Sequence, residues 1–158
     1  MATTCNCGRD RLLLIFVCLA VGCINNSPTH PVDAAALGKL DKLHPKSIID
    51  RRGRVVELML EGSMVNDEAL AAVQDLTELR VLSLYGASIS DSGLKHLAGL
   101  THLESLGLGR TGITDDGLQS LKRLTGLRWL WLTELTDVSK PAIDELKTAN
   151  PNLKVYDK

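Results

Sequence analysis

The sequence predicts an α/β solenoid, a short stack of similar coils that each contribute one strand and one short helix. Three observations lead there. Val55, Leu79, Leu103 and Leu127 stand 24 residues apart. Each opens the same apolar spacing: Val55/Leu58/Leu60, Leu79/Leu82/Leu84, Leu103/Leu106/Leu108 and Leu127/Leu130/Leu132. Leucine is the commonest residue in an apolar content of 44% in which aromatics are only 3%. A fixed period of about 20 to 30 residues marks units that cannot bury their apolar side alone and must stack on their neighbours.

The first element is of another kind. Arg9 and Arg11 precede an uncharged run from Leu12 to Gly22. That run is too short for a membrane-spanning helix, which needs about 20 apolar residues, and suits the apolar region of an export signal. Residues 1–22 are therefore expected to be a signal peptide. Leu19-Ala20-Val21-Gly22-Cys23 resembles the lipobox of bacterial lipoproteins, with Ala20 where Leu is usual. The resemblance implies cleavage before Cys23, acylation of its thiol and a lipid-anchored protein of the cell envelope. The competing readings are an ordinary signal peptide with an incidental Cys23, giving a periplasmic or secreted protein, and no export at all. All four cysteines (Cys5, Cys7, Cys18 and Cys23) lie at or before this point, so the folded part has no internal disulfide. Cys5-Asn6-Cys7 lacks the second ligand pair that zinc needs.

Residues 23–33, with Asn25-Asn26-Ser27-Pro28-Thr29-His30-Pro31, show no apolar period and are expected to be a flexible tether. Residues 34–54 read as an N-terminal cap. Leu37, Leu40 and Leu43 recur every third residue, as on a short amphipathic helix, Pro45 stops it, and Arg51-Arg52-Gly53 makes a turn. This cap would cover the apolar end of the stack.

The repeat domain then runs over 55–158. Within a repeat, Leu103-Glu104-Ser105-Leu106-Gly107-Leu108 alternates, which places Leu106 and Leu108 inward and Ser105 and Gly107 outward on a strand. Ile113-Thr114-Asp115-Asp116-Gly117-Leu118 follows, with Leu121 and Leu124 completing an apolar stripe. Thr114 or Asp115 is placed to cap the helix start. Asp67, Asp91 and Asp115 share one offset, which reads as a column of helix caps rather than a catalytic carboxylate pair.

Ile89-Ser90-Asp91-Ser92-Gly93-Leu94 and Ile113-Thr114-Asp115-Asp116-Gly117-Leu118 resemble the I-T-D-x-G-L signature of a leucine-rich-repeat subtype shared by bacterial exported proteins and eukaryotic F-box substrate receptors, and Val65-Asn66-Asp67 is a weaker copy. The resemblance implies a curved leucine-rich-repeat array with parallel strands on the concave face and short helices on the convex face. The fourth repeat departs from the pattern: Leu127 to Leu153 is 26 residues, Pro141 stands at a helix start, and the segment from Ala149 to Tyr156 reads as a C-terminal cap.

Several functions are disfavoured. A net charge of −1 with both signs interspersed offers no basic field for nucleic acid. Gly107-Leu108-Gly109-Arg110-Thr111-Gly112 matches GxGxxG, but its context arises in every repeat, and one repeat has no βαβ crossover of the size a dinucleotide needs. His30, His44, His96 and His102 are scattered, and no serine stands in a GxSxG elbow. No cofactor, metal or catalytic centre is expected.

The outward strand positions carry the candidate site. They form three columns: Glu57, Val81, Ser105 and Trp129; Met59, Ser83, Gly107 and Trp131; Glu61, Tyr85, Gly109 and Thr133. Both tryptophans and one of the two tyrosines thus fall on the open strand face, and Tyr156 is assigned to the cap. Such residues bury much area at low entropic cost. The expected partner is a protein, a peptide or a glycan, contacted through Trp129, Trp131, Tyr85, Val81, Met59, Glu57 and Glu61. Gly107 and Gly109 would leave a recess beside Trp131. The competing reading is that the cap folds over both tryptophans. An envelope lipoprotein with a purely structural role, or an intracellular leucine-rich-repeat adaptor, are the alternative functions.

Overall fold

The computed structural model describes residues 29–135 and 137–157. The expected signal peptide, the acylated Cys23 and the tether up to Pro28 lie outside the described residues.

Helix α1 spans Pro31–Leu40, so it begins three residues before the expected Ala34 and takes in the end of the segment read as a tether. Pro31 is favoured at a helix start because its fixed φ suits the first turn and its missing N–H is unneeded there. Asp33, which composition assigned to the tether, is fully buried. Its Oδ2 accepts the amide of Val55 at 2.6 Å, and its Oδ1 lies 3.2 Å from Nε of Arg54. The Arg54 contact is an ion pair by distance whose angle is poor for a hydrogen bond. Leu37 and Leu40 are buried, a 3-10 turn over Asp41–Leu43 follows, and His44 (φ 50°) leads the chain out ahead of Pro45.

Strand β1, Lys46–Ile49, was not anticipated from the sequence. It pairs antiparallel with β2, Val55–Met59, through a turn in which Asp50 Oδ1 accepts the amides of Arg52 and Arg54 and Gly53 takes φ 76°. Four residues are too few to show a period, and only pairing with β2 gives them a partner. β1 thereby covers the edge of the repeat sheet, which would otherwise present unpaired backbone.

The remaining strands are β3 (Val81–Ser83), β4 (Ser105–Gly107), β5 (Trp129–Trp131) and β6 (Lys154–Tyr156). The sheet runs β1 to β6 in sequence order, with β2 to β6 all parallel. This is an open α/β solenoid. Leu58, Leu82, Leu106 and Leu130 stand in register, at most 1% exposed, and Leu60, Leu84, Leu108 and Leu132 repeat the pattern one step on. Each such leucine stabilises the fold by roughly 1.5–3 kcal/mol relative to exposure.

Helices α2 (Asp67–Val73), α3 (Asp91–Leu94, continued by a 3-10 segment over Lys95–Gly99), α4 (Asp115–Leu121) and α5 (Lys140–Ala149) line the other side. Their caps correct one expectation. The capping side chains are Asn66, Ser90, Thr114 and Ser139, and the recurrent aspartates sit one residue later, where they reach the next coil. Asp67 accepts the amide and hydroxyl of Ser90, Asp91 those of Thr114, and Asp115 those of Ser139, at 2.6–2.9 Å. The signature glycines follow from this ladder. A Cβ on Gly93 or Gly117 would strike the carboxylate of Asp67 or Asp91. In the last coil Ala142 takes that place, and Asp115 reaches Ser139 over 24 residues rather than 23.

Candidate interaction face

Strand register sets the site. Glu57, Val81, Ser105, Trp129 and Lys154 form one column across β2 to β6. Met59, Ser83, Gly107, Trp131 and Tyr156 form the second, and on β1 Ile48 and Lys46 continue the two rows. Glu61, Tyr85, Gly109 and Thr133 lie just beyond the strand ends, where Gly62, Gly86 and Arg110 donate their amides to the following coil. Met59, Tyr85, Trp129, Trp131 and Tyr156 are the large exposed side chains here, Trp131 at 43% and Trp129 at 37%. Val81 and Glu57 are half-buried, and Glu61 is exposed.

Tyr156 is the residue that sequence reasoning left off this face. Counted at the 26-residue spacing from Leu127 to Leu153, it aligns with the inward Leu130. The pairing of β5 with β6 is one residue tighter, so Val155 stands beside Leu130 and Tyr156 beside Trp131. The two rings stack, with centroids 4.1 Å apart and planes 12° from parallel. The last strand therefore lies alongside β5 and not across its tryptophans.

The two expected glycine recesses differ. Gly107 is half-buried and has room for a Cβ, which would make ordinary contact with β3, nearest Ser83 Oγ at 3.5 Å. Gly109 is buried under the ring of Tyr85, whose Cδ2 would stand 2.8 Å from an added Cβ. Tyr85 is held there from above. Its hydroxyl donates to Glu134 at 2.7 Å, and Glu134 lies 3.4 Å from Nε of Arg110. Arg110 and Glu134 both adopt the left-handed conformation (φ 54° and 59°) that Gly62 and Gly86 take in earlier coils. The strain of roughly 1 kcal/mol or more at each is offset in part by the contacts they make to each other and to Tyr85.

Charge divides the face. Glu57 and Glu61 stand near its β2 end, with Lys46 beside Met59. Arg128, Trp129, Asn152 and Lys154 line an open concavity at the opposite end. Glu104 next to Arg128 is paired with Arg80 at 3.7 Å, and among the described residues neither Arg128 nor Lys154 forms an ion pair.

Three amides of the GxGxxG segment are committed within the fold, Leu108 donating to Trp131, Arg110 to Thr133 and Gly112 to Ile89, and the helix starts only at Asp115. His96 contacts Gln74 and His102 contacts the Thr77 carbonyl, on the helical side. Among the described residues no group of three or more His, Cys, Asp or Glu side chains is placed to hold a metal, and no helix is long and apolar enough to cross a membrane.

No protein family and no curated protein matches the chain. Its fold is similar to solved leucine-rich-repeat structures. PEPR1-AtPEP1 is 17% identical over 70% of this chain, with a TM-score of 0.43. An internalin, inlF of Listeria monocytogenes, is 14% identical over 84%, with a TM-score of 0.40. The chain spans 19% and 38% of the lengths of these two proteins.

Proposed function

We propose that this chain is a non-catalytic interaction module, displayed at the bacterial cell envelope, that binds a protein, peptide or glycan through its concave strand face. Trp129, Trp131, Tyr85, Val81, Met59, Glu57 and Glu61 make that face, and Tyr156 joins them. The signal peptide over 1–22 exports the chain, and a lipid on Cys23 holds it at a membrane. The observation that carries the reading is the concentration of large exposed aromatic rings on one sheet face, Trp129, Trp131 and Tyr156, with Trp131 braced by Tyr156. A rigid, half-exposed aromatic group loses little entropy when covered and contributes much area to binding.

Both tryptophans of the protein lie on this face, so intrinsic fluorescence reports its occupancy directly. Ligands selected from displayed peptides and arrayed glycans are expected to shift the emission of the parent protein. They should lose at least tenfold in affinity for Trp129→Ala/Trp131→Ala at unchanged circular dichroism. Selected ligands that bind parent and variant equally would remove the reading. Fractionation with and without Cys23→Ser checks the location: the parent is expected with membranes and the variant in the soluble exported fraction.

A further inference from the structure

The geometry points to a carboxylated glycan as the ligand of the β4 to β6 end of the concave face, with sugar rings packed on Trp131 and Trp129 and carboxylates met by Arg128 and Lys154. This rests on the interaction role proposed above and names the ligand class for it.

The first observation is a slot with a bare floor. Trp131 and Tyr156 are cross-strand neighbours whose rings lie nearly parallel with centroids 4.1 Å apart, close to the strand spacing of about 4.8 Å. Rings stacked across that spacing stand on edge from the sheet. One face of Trp131 is therefore taken by Tyr156, and the other overlooks β4. There the facing residue is Gly107, which has no side chain, with Ser83 beyond it. A ring of ordinary thickness has room between Trp131 and Ser83, two strand spacings apart. On the same strand, Trp129 presents a second exposed indole about 7 Å along the chain direction, placed for a following unit of a linear ligand.

The second observation is charge. Arg128 and Lys154 flank Trp129, are exposed and form no ion pair among the described residues, with the Asn152 amide beside them. The nearby acids are Glu104, held by Arg80, and Asp157, next to Tyr156. Glu57 and Glu61 occupy the other end of the face and would repel an anionic chain, which confines it to β4 through β6.

The third is the state of the backbone. Strands β2 to β5 have neighbours on both sides, so their amides and carbonyls are consumed within the sheet. A peptide laid over this face would bury amide groups against indoles with few partners, which is costly. A pyranose ring offers an apolar C–H face to the indole and places its polar groups at the edge, where Asn152, Ser83, Arg128 and Lys154 are available.

The test is a fluorescence titration of the protein with carboxylated oligosaccharides (galacturonate, glucuronate, mannuronate and N-acetylmuramate series), each beside its neutral methyl ester. At least one acid is expected to shift the tryptophan emission saturably, its ester binding tenfold or more weakly. Arg128→Gln/Lys154→Gln should erase the difference between acid and ester, and Trp131→Phe should weaken both. Acid and ester binding alike, or no carboxylated series binding, would overturn the inference. If selected peptides then shift the emission while every glycan fails, the interaction role stands and only the ligand class falls.

Discussion

The carboxylate of Asp91 accepts both the amide and the hydroxyl of Thr114, at 2.9 and 2.7 Å, from the neighbouring coil. One side chain thereby fixes the start of the next helix while Thr114 caps that helix itself. Helices this short are not stable alone, so a bond that positions each on its predecessor matters more than helix propensity. Asp91→Ala leaves the Thr114 amide without its charged acceptor. It is expected to destabilise the fold by about 1–3 kcal/mol, read as a lower urea midpoint.

Gly93 is the counterpart of the same ladder one coil earlier, since a Cβ there would collide with the Asp67 carboxylate. Alanine favours helix over glycine by up to about 1 kcal/mol, so two effects oppose each other and the collision is expected to win. Gly93→Ala should therefore destabilise the parent and cost markedly less in an Asp67→Ala background, where only the approach to Leu70 Cδ1 at 3.1 Å remains. A double-mutant cycle measures that coupling, and additive effects would refute it.

The ladder also sets an acid response. Burial raises the Asp67 carboxyl, but the hydroxyl and amide of Ser90 and the hydroxyl of Ser92 outweigh it and hold it below the ordinary aspartate value of 3.8. Hydrogen bonds from the Ser139 hydroxyl and amide do the same for Asp115. A carboxyl with a lowered folded value binds fewer protons folded than unfolded, so its contribution is complete above the ordinary value and is lost as pH falls through the lowered one. Urea midpoints should be flat from pH 7 to about 5 and fall below about pH 4. The fall should be shallower in Asp67→Asn/Asp115→Asn.

Asp33 ties the first helix to the first repeat strand. It is wholly buried, bonded to the Val55 amide and paired with Arg54. Removing one partner of a buried pair leaves the other uncompensated, and Asp33→Ala is expected to cost about 3 kcal/mol, measured by chemical denaturation. Replacement of exposed Asp41, by contrast, should stay within about 0.5 kcal/mol.

Much of this architecture could be read in advance because it repeats. The 24-residue period identified the inward leucines, the outward columns and the order of strand, loop and helix, and the strand register follows those columns residue for residue from β2 to β5. What escaped was local or non-repeating. β1 has no periodic signal of its own and becomes a strand by pairing. Asp33 sits in a polar stretch whose composition suits a tether, and its burial comes from a distant amide. The aspartates were identified as a column, but whether each caps its own helix or bonds the next depends on a shift of one residue. Tyr156 was lost from the face for the same reason, a single residue of register in the last coil.

Sequence alone determined the coil length, the leucine interior and the alternation that puts Trp129 and Trp131 outside, because each depends only on spacing along one chain. The tertiary structure decided which groups meet across coils. It brought Tyr156 against Trp131, laid Tyr85 over Gly109 and left Gly107 bare. Those contacts are set by register and backbone approach between segments about 24 residues apart, and spacing within one segment carries no record of them.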